Sequence, residues 1–246
     1  MTESNTIVAM DFPNADDVFQ MLAKLDEGAT PDKKNCLVKI GKELFTAEGP
    51  NLVKRIMSMG YKEVFLDLKY HDIPNTVAAA CEKAADMGVW MVNLHALGGR
   101  KMMEETMNRL QKRRIRPIVT AVTLLTSMQY EDAQEVGLQG SPKEIALRLA
   151  KLAHSSGVDG VVSSPLETEF IRKTCGDDFI IVNPGIRFAG DDKNDQNRIS
   201  TPGTAIQNGA DYIVVGRSIT TAENPAAALV KANNEVSKAK AGLYIP

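Results

Sequence analysis

The chain has 246 residues, of which 43% are hydrophobic and 24% are charged, as is typical of a globular protein. This composition excludes a disordered, collagenous or coiled-coil chain. The 29 basic and 31 acidic side chains give a formal net charge of −2, so no general electrostatic field favours nucleic acid or an acidic membrane.

The chain shows no sign of export or membrane insertion. Its first residues, MTESNTIVAMD, include an early acid and no basic region, so the sequence predicts no signal peptide. No stretch approaches the ~18 apolar residues of a membrane span. The cysteines Cys36, Cys81 and Cys175 are few and far apart, which suits neither a disulfide framework nor a zinc site. We therefore expect a cytoplasmic protein with reduced cysteines.

Short aliphatic or β-branched runs recur along the chain, with helical segments between them. In chain order they predict about eight strands: IVAMD, CLVKIG, VFLDLK, MVNLHA, PIVTAVTLL, GVVSS, FIIVNPG and YIVVGR. Strands that are almost entirely apolar are typical of a parallel sheet covered on both faces.

Two recurring signals mark the expected helix boundaries. Glycine fits the left-handed position that ends a helix, and it precedes five of the strand runs, at Gly60, Gly88, Gly157, Gly176 and Gly209. Proline after a capping residue predicts helix starts at Gly49-Pro50, Ser141-Pro142, Ser164-Pro165 and Thr201-Pro202. Capping-box spacing supports the second and third of these starts, through Glu144 and Glu167.

This repeat of strand, cap, helix and glycine predicts an α/β fold, a (β/α)8 TIM barrel that forms a single domain over residues 1–246. An open Rossmann-like sheet is the alternative, but no GxGxxG follows the first strand. The polar loop from Phe188 to Ser200 is the longest irregular stretch and a candidate mobile lid.

Polar residues concentrate at the carboxyl ends of the predicted strands. Asp67 and Lys69 are two positions apart, so on a regular strand they share a face. The other polar ends are Asp11, Lys39, Asn93, His95, the run Thr123 to Ser127, Ser163, Ser164, Asn183 and Arg217. In a barrel these ends converge on the face that holds active sites, so the pattern predicts a site there.

The last two strands are followed by loops suited to an anion. They contain Gly185 with Arg187, and Gly216 with Arg217. Glycine lets backbone N–H groups approach a phosphate, and the arginine fork matches its oxygens. The pattern predicts a phosphate site. In contrast, no spacing of carboxylates and histidines indicates a metal site.

The segment DLKYHDIPNT, residues 67–76, resembles the signature of the orotidine 5′-phosphate decarboxylase family of the bacterial type. The resemblance extends over nearly the whole chain, through the Asp11 strand and the segments KIGKELF, GVWMVNLHA, VTLLTSM, NPGIR and VGRSIT. It implies decarboxylation of orotidine 5′-phosphate to UMP and CO2, the last step of de novo pyrimidine nucleotide synthesis, with no metal and no cofactor.

The resemblance also implies roles for individual residues. Lys69 would protonate C6 of the pyrimidine, and Asp67 would lie near the departing carboxylate. Lys39 would reach Asp67 and a ribose hydroxyl, and Asp11 would bind the ribose. Asp72 and Thr76 would come from the partner in a homodimer with shared active sites. The remaining substrate-binding residues would be Thr126 and Ser127 at the pyrimidine, Arg187, Gln196, Gly216 and Arg217 at the phosphate, and Pro184.

Two alternatives remain open at this point. One is a magnesium-dependent phosphosugar decarboxylase or aldolase of the same fold, since related barrels share the DxKxxD pattern. In those relatives a carboxylate at the end of the second strand helps to hold the metal, whereas here that strand ends in Lys39. The other is a non-catalytic nucleotide-binding barrel, which the intact Asp67, Lys69 and Asp72 disfavour.

Overall fold

The computed structural model describes residues 4–27, 34–191 and 200–245 of the chain. Eight parallel strands pair in sequence order and close into a barrel, with β1 next to β8. The strands are β1 (Thr6–Met10), β2 (Leu37–Gly41), β3 (Val64–Tyr70), β4 (Met91–His95), β5 (Ile118–Val122), β6 (Gly160–Val162), β7 (Ile180–Ile186) and β8 (Tyr212–Val215). The predicted (β/α)8 barrel is confirmed.

Helices connect the strands and cover the outside of the barrel. They are α1 (Ala15–Leu25), α2 (Lys42–Ser58), α3 (Pro74–Asp86), α4 (Arg100–Leu110), α5 (Tyr130–Glu135), α6 (Pro142–Ser155), α7 (Thr168–Cys175), α8 (Pro202–Gln207), α9 (Arg217–Thr220) and α10 (Pro225–Lys240). A short 3-10 turn, Ala96–Gly98, precedes α4.

Alternation along each strand divides the apolar side chains between two cores. Ile7, Phe65 and Met91 point into the barrel, where they pack with residues of the other strands. Their neighbours Val8 and Leu66 point outward and pack against the helices. The two-residue period of a strand produces this division, and it also directs polar residues at the strand ends into the barrel mouth.

Most of the predicted helix boundaries are correct. The five glycines expected at helix ends all have positive φ, for example 97° at Gly60 and 77° at Gly157. Helix α6 begins at Pro142 with a complete capping box between Ser141 and Glu144. Within α2 the backbone breaks at Gly49, where φ is 65°, so Pro50 begins the second half of a helix that started at Lys42.

The helix predicted to start at Pro165 was wrong, because α7 begins at Thr168. The Ser164 hydroxyl accepts a hydrogen bond from the N–H of Leu166, so it stabilises a tight turn. This bond reaches two residues ahead instead of the three that the capping box requires.

Two irregularities interrupt the barrel at its carboxyl end. The register between β3 and β4 shifts between Leu66 and Tyr70. The register between β7 and β8 shifts between Asn183 and Ile186. Bulges of this kind re-aim side chains and are common beside active sites. Both lie in strands that carry predicted site residues.

The sequence predicts reduced cysteines. All three cysteines are free and buried, and burial raises the pKa of Cys36 and of Cys81 to about 12, so both thiols are protonated at neutral pH.

Within the described residues, no helix combines the length and the apolar character needed to cross a membrane.

Candidate active site

A cavity of about 470 Å³ opens at the carboxyl end of the barrel. Its volume lies within the range of small-molecule binding sites. The lining includes ten of the residues predicted from the sequence: Asp11, Lys39, Asp67, Lys69, Thr126, Ser127, Pro184, Arg187, Gly216 and Arg217.

Four charged side chains form a continuous row along one wall of the cavity. The Lys39 ammonium lies 2.8 Å from Asp11 Oδ1 and 3.4 Å from Asp67 Oδ2. The Lys69 ammonium lies 2.6 Å from the other oxygen of Asp67, Oδ1. The signs therefore alternate along the row Asp11, Lys39, Asp67, Lys69, and its net charge is zero. We call these four residues the charged row.

The interior members of this row are buried and yet ionised. Burial by itself would raise the pKa of Asp67, but the charges of Lys39 and Lys69 outweigh it and lower the pKa below its ordinary value. Burial would lower the pKa of Lys39, but the charges of Asp67 and Asp11 outweigh it and raise that pKa. The row therefore keeps the Asp67 carboxylate and the Lys39 ammonium charged at neutral pH.

The backbone that carries Lys69 is unusual. Its φ is 51°, and Lys69 is the only non-glycine residue with positive φ in the part of the chain that the structure describes. Its N–H donates to Oδ1 of Asn93 at 2.7 Å, and the amide nitrogen of Asn93 donates to Asp67 Oδ1, also at 2.7 Å. Asn93 thus connects the backbone of one charged residue to the side chain of another.

Positive charge is concentrated in the part of the cavity where β7 and β8 end. Arg187 is buried, and its Nε has no hydrogen-bond partner among the described residues. Burial lowers the pKa of Arg187 and the like charge of Arg217 lowers it further, and together they outweigh the opposite effect of the Asp191 carboxylate. Two neighbouring guanidinium groups in a partly dry site are unfavourable without an anion, so this end has the chemistry of a phosphate site.

The part of the cavity wall where β5 and β6 end has both apolar and polar side chains. Val122, Leu124 and Val162 give it an apolar surface, and Thr126 and Ser127 lie beside them in the cavity lining. A flat heterocycle with polar edges fits such a wall, because its faces need apolar contact and its edges need hydrogen-bond partners.

Residues 4–232 match the orotidine 5′-phosphate decarboxylase / HUMPS family. This match covers far more than half of the chain. The chain belongs to that family.

Individual relatives in this family are similar along almost their full length. The chain is 52% identical to orotidine 5′-phosphate decarboxylase of Hydrogenovibrio crunogenus over 96% of this chain and 97% of that protein. It is 50% identical to the enzyme of the same name from Nitrosospira multiformis, over 96% and 95%. The crystal structure of orotidine 5′-phosphate decarboxylase from Lactobacillus acidophilus superposes with a TM-score of 0.81 at 38% identity, covering 94% of this chain and 98% of that one.

Three residues that the family resemblance assigns to the site are not part of the cavity as described. Asp72 and Thr76 are exposed, and neither lines the cavity of its own protomer. The Asp72 carboxylate accepts a hydrogen bond from the N–H of Ile73. Gln196 lies outside the described residues, as does most of the predicted lid from Phe188 to Ser200.

Two histidines lie next to the charged row, at the ends of β3 and β4. The rings of His71 and His95 stack with their centroids 5.4 Å apart. Burial lowers the pKa of His95 to about 4, and the positive charges of His71, Lys69 and Lys42 contribute to the shift. His95 is therefore neutral at physiological pH.

Sequence reasoning gave no role to Asn93, which proved to be central to the site geometry. The available signal was a polar residue inside the apolar run MVNLH, at a position that points into the barrel. For metals, the described residues contain no group of three or more His, Cys, Asp or Glu side chains placed to hold an ion.

Proposed function

We propose that this chain catalyses the decarboxylation of orotidine 5′-phosphate to UMP and CO2. The observation that carries the proposal is the arrangement of charge in one cavity. The charged row lies where β1, β2 and β3 end, and Arg187 with Arg217 lies where β7 and β8 end. The family and the near full-length relatives of the same name support the same reaction.

The cavity accommodates the substrate in one orientation. The phosphate lies between Arg187, Arg217 and the backbone at Gly216, because the two arginines give this part of the described lining an excess of positive charge. The ribose hydroxyls contact Asp11 and Lys39. The pyrimidine then lies on the mixed wall beside Thr126 and Ser127, with C6 and its carboxylate facing the Lys69 end of the row.

Catalysis in this orientation depends on fixed charges. The bond between C6 and the carboxylate carbon breaks, CO2 leaves, and the electron pair stays on C6. The Lys69 ammonium attracts this developing negative charge and then transfers a proton to C6. The products are UMP and a neutral Lys69 amine, which regains its proton from water.

Asp67 contributes by holding Lys69 in place. Its Oδ1 lies 2.6 Å from the Lys69 ammonium, and the positive neighbours keep it ionised. The same carboxylate faces the carboxylate of the substrate, so the loss of CO2 removes a like-charge contact. Both effects come from a single buried carboxylate.

The contacts to the phosphate assist a reaction that takes place at the pyrimidine, away from the phosphate itself. Phosphate contacts do not change during the loss of CO2, so their energy holds the pyrimidine against the charged row. The resemblance assigns Gln196 and the lid to this phosphate, and we propose that lid closure excludes water from the cavity.

We propose that the active protein is a homodimer with shared sites. Asp72 and Thr76 flank Ile73, which is 66% exposed, and Leu97 on the neighbouring loop is 36% exposed. An apolar surface beside the cavity mouth is typical of a subunit contact. In such a dimer Asp72 and Thr76 of one subunit extend the site of the other.

The proposal extends to the domain organisation of the chain and to its location in the cell. We propose that residues 1–246 form one domain, because β1 pairs with β8 and so closes the barrel from both ends of the chain. We propose a cytoplasmic location, because three free buried cysteines suit a reducing compartment.

The test is a spectrophotometric assay of the full chain with orotidine 5′-phosphate, in the presence and absence of EDTA. We expect loss of the orotate chromophore and formation of UMP in both conditions. Turnover that EDTA abolishes would favour the magnesium-dependent alternative. Tight UMP binding without turnover would favour the non-catalytic barrel.

A further inference from the structure

Asn93 is a fully buried polar residue that lies next to the reacting groups without lining the cavity. We propose that Asn93 is a positioning residue, which sets the backbone of Lys69 and the carboxylate of Asp67 in their reactive arrangement. This inference rests on the proposed function, because it concerns the placement of the proton donor for that reaction.

The side chain of Asn93 uses both of its polar groups for this purpose. Its Oδ1 accepts from the Lys69 N–H at 2.7 Å, and its Nδ2 donates to Asp67 Oδ1 at 2.7 Å. These are the only side-chain hydrogen bonds of Asn93 recorded within the described residues. Both therefore end on the two residues that face the reacting carbon.

The bond to Lys69 occurs where the backbone departs from the strand. Positive φ is unfavourable for a side chain such as lysine and persists only where the surroundings impose it. The register between β3 and β4 shifts at this point, so the regular pairing of the two strands does not constrain Lys69. The side-chain Oδ1 of Asn93 accepts the hydrogen bond from the Lys69 N–H, which the shifted strand pairing leaves without a regular partner, and it holds Lys69 at φ 51°.

The bond to Asp67 fixes the rotation of the carboxylate. Oδ1 accepts from both Asn93 and the Lys69 ammonium, which leaves Oδ2 facing Lys39 at 3.4 Å. A neutral donor suits this position, because a second carboxylate would repel Asp67 and another cation would change the charge of the row. Asparagine supplies the donor and the acceptor without adding charge.

The test compares Asn93→Ala and Asn93→Asp with the wild type. Thr106→Ala is the control, because Thr106 is a fully buried polar residue on α4 whose hydroxyl donates to the Met102 carbonyl and which does not line the cavity. For each variant we would measure kcat, KM, UMP affinity and Tm, and we would determine the crystal structure of Asn93→Ala.

We expect Asn93→Ala to lower kcat by about 10²-fold, because a displacement of about 1 Å at a reacting group has an effect of this size. KM and UMP affinity should change by less than about threefold, because the contacts to ribose and phosphate remain. Thr106→Ala should lower Tm with a much smaller loss of kcat. In the crystal structure, Lys69 should leave the positive φ region.

Asn93→Asp supplies a readout that a purely structural role would not change. The new carboxyl lies beside Asp67, so burial and like charge raise its pKa. When protonated it can again donate to Asp67, and when ionised it repels Asp67. The ratio of variant to wild-type kcat should therefore rise as the pH is lowered.

Three results would overturn the inference while the wild type remains active. These are a kcat of Asn93→Ala within about threefold of wild type, parallel losses of kcat in Asn93→Ala and Thr106→Ala, and a pH-independent ratio for Asn93→Asp. If Asn93→Ala does not fold, the pH dependence of kcat in the nearly isosteric Asn93→Asp tests the inference by itself. An inactive wild type would instead contradict the proposed function, so the two failures are distinguishable.

Discussion

The Lys69 ammonium lies 2.6 Å from Asp67 Oδ1, although the backbone between the two residues does not continue as a regular strand. Simple alternation would place both side chains on one face, and the structure does bring them together. It does so through a positive φ at Lys69 and a register shift between β3 and β4.

The role that we propose for Lys69 predicts that Lys69→Ala abolishes turnover. Removal of the general acid and of its fixed charge should lower kcat by at least about 10³-fold. UMP affinity should change little, since UMP has no carboxylate at C6 and its phosphate contacts remain. Titration calorimetry with UMP and the spectrophotometric assay measure the two effects. Lys83→Ala is the control, because Lys83 is exposed on α3. Substantial turnover by Lys69→Ala would exclude this role.

The proposed homodimer with shared sites predicts complementation between two inactive variants. In a heterodimer of Lys69→Ala and Asp72→Asn subunits, one site contains the intact Lys69 and the intact Asp72. Such heterodimers, isolated through two different affinity tags, should have about half of the wild-type activity, since one of two sites is complete. Each homodimeric variant serves as its own control. No recovery in verified heterodimers would place Asp72 outside the partner's site.

The proposed phosphate site predicts a trade-off between the stability of the free protein and its affinity for UMP. Arg187 is buried beside the like charge of Arg217, and its pKa is lowered. Arg187→Met should therefore keep or raise the Tm of the free protein. It should weaken UMP binding by about 10-fold to 10²-fold and leave uridine binding unchanged. Thermal melts and titrations measure this, with the exposed Arg148→Met as control. Equal losses for UMP and uridine would contradict the assignment.

The shifted pKa of His95 predicts how stability depends on pH. Burial lowers its folded pKa from 6.5 to about 4, so the unfolded chain takes up the proton first as the pH falls. The contribution of neutral His95 is thus present above pH 6.5 and is lost as the pH falls toward 4. Between pH 7 and pH 5, the free energy of unfolding in urea should fall more steeply for wild type than for His95→Gln. Parallel curves would show that His95 is not the group responsible.

Local sequence signals predicted the barrel and the position of its site. Glycines such as Gly60 end helices, and Ser141 caps α6 through Glu144, because each signal acts within a few residues of itself. Polar residues at strand ends pointed to the carboxyl end of the barrel, where the structure places the cavity. The helix start at Pro165 was wrong because Ser164 has the residues of a capping box and forms a different local turn.

The sequence by itself determined the class of fold, the end of the barrel that carries the site and the charged residues available there. Only the tertiary structure decided how those charges meet. The bonds from Lys39 to Asp11, from Asn93 to Asp67 and from Lys69 to Asn93 join residues 28, 26 and 24 positions apart. Such contacts depend on which strands pair and in which register. The register shift at Lys69 and the buried asparagine that holds it there arise from that pairing, which no short stretch of sequence specifies.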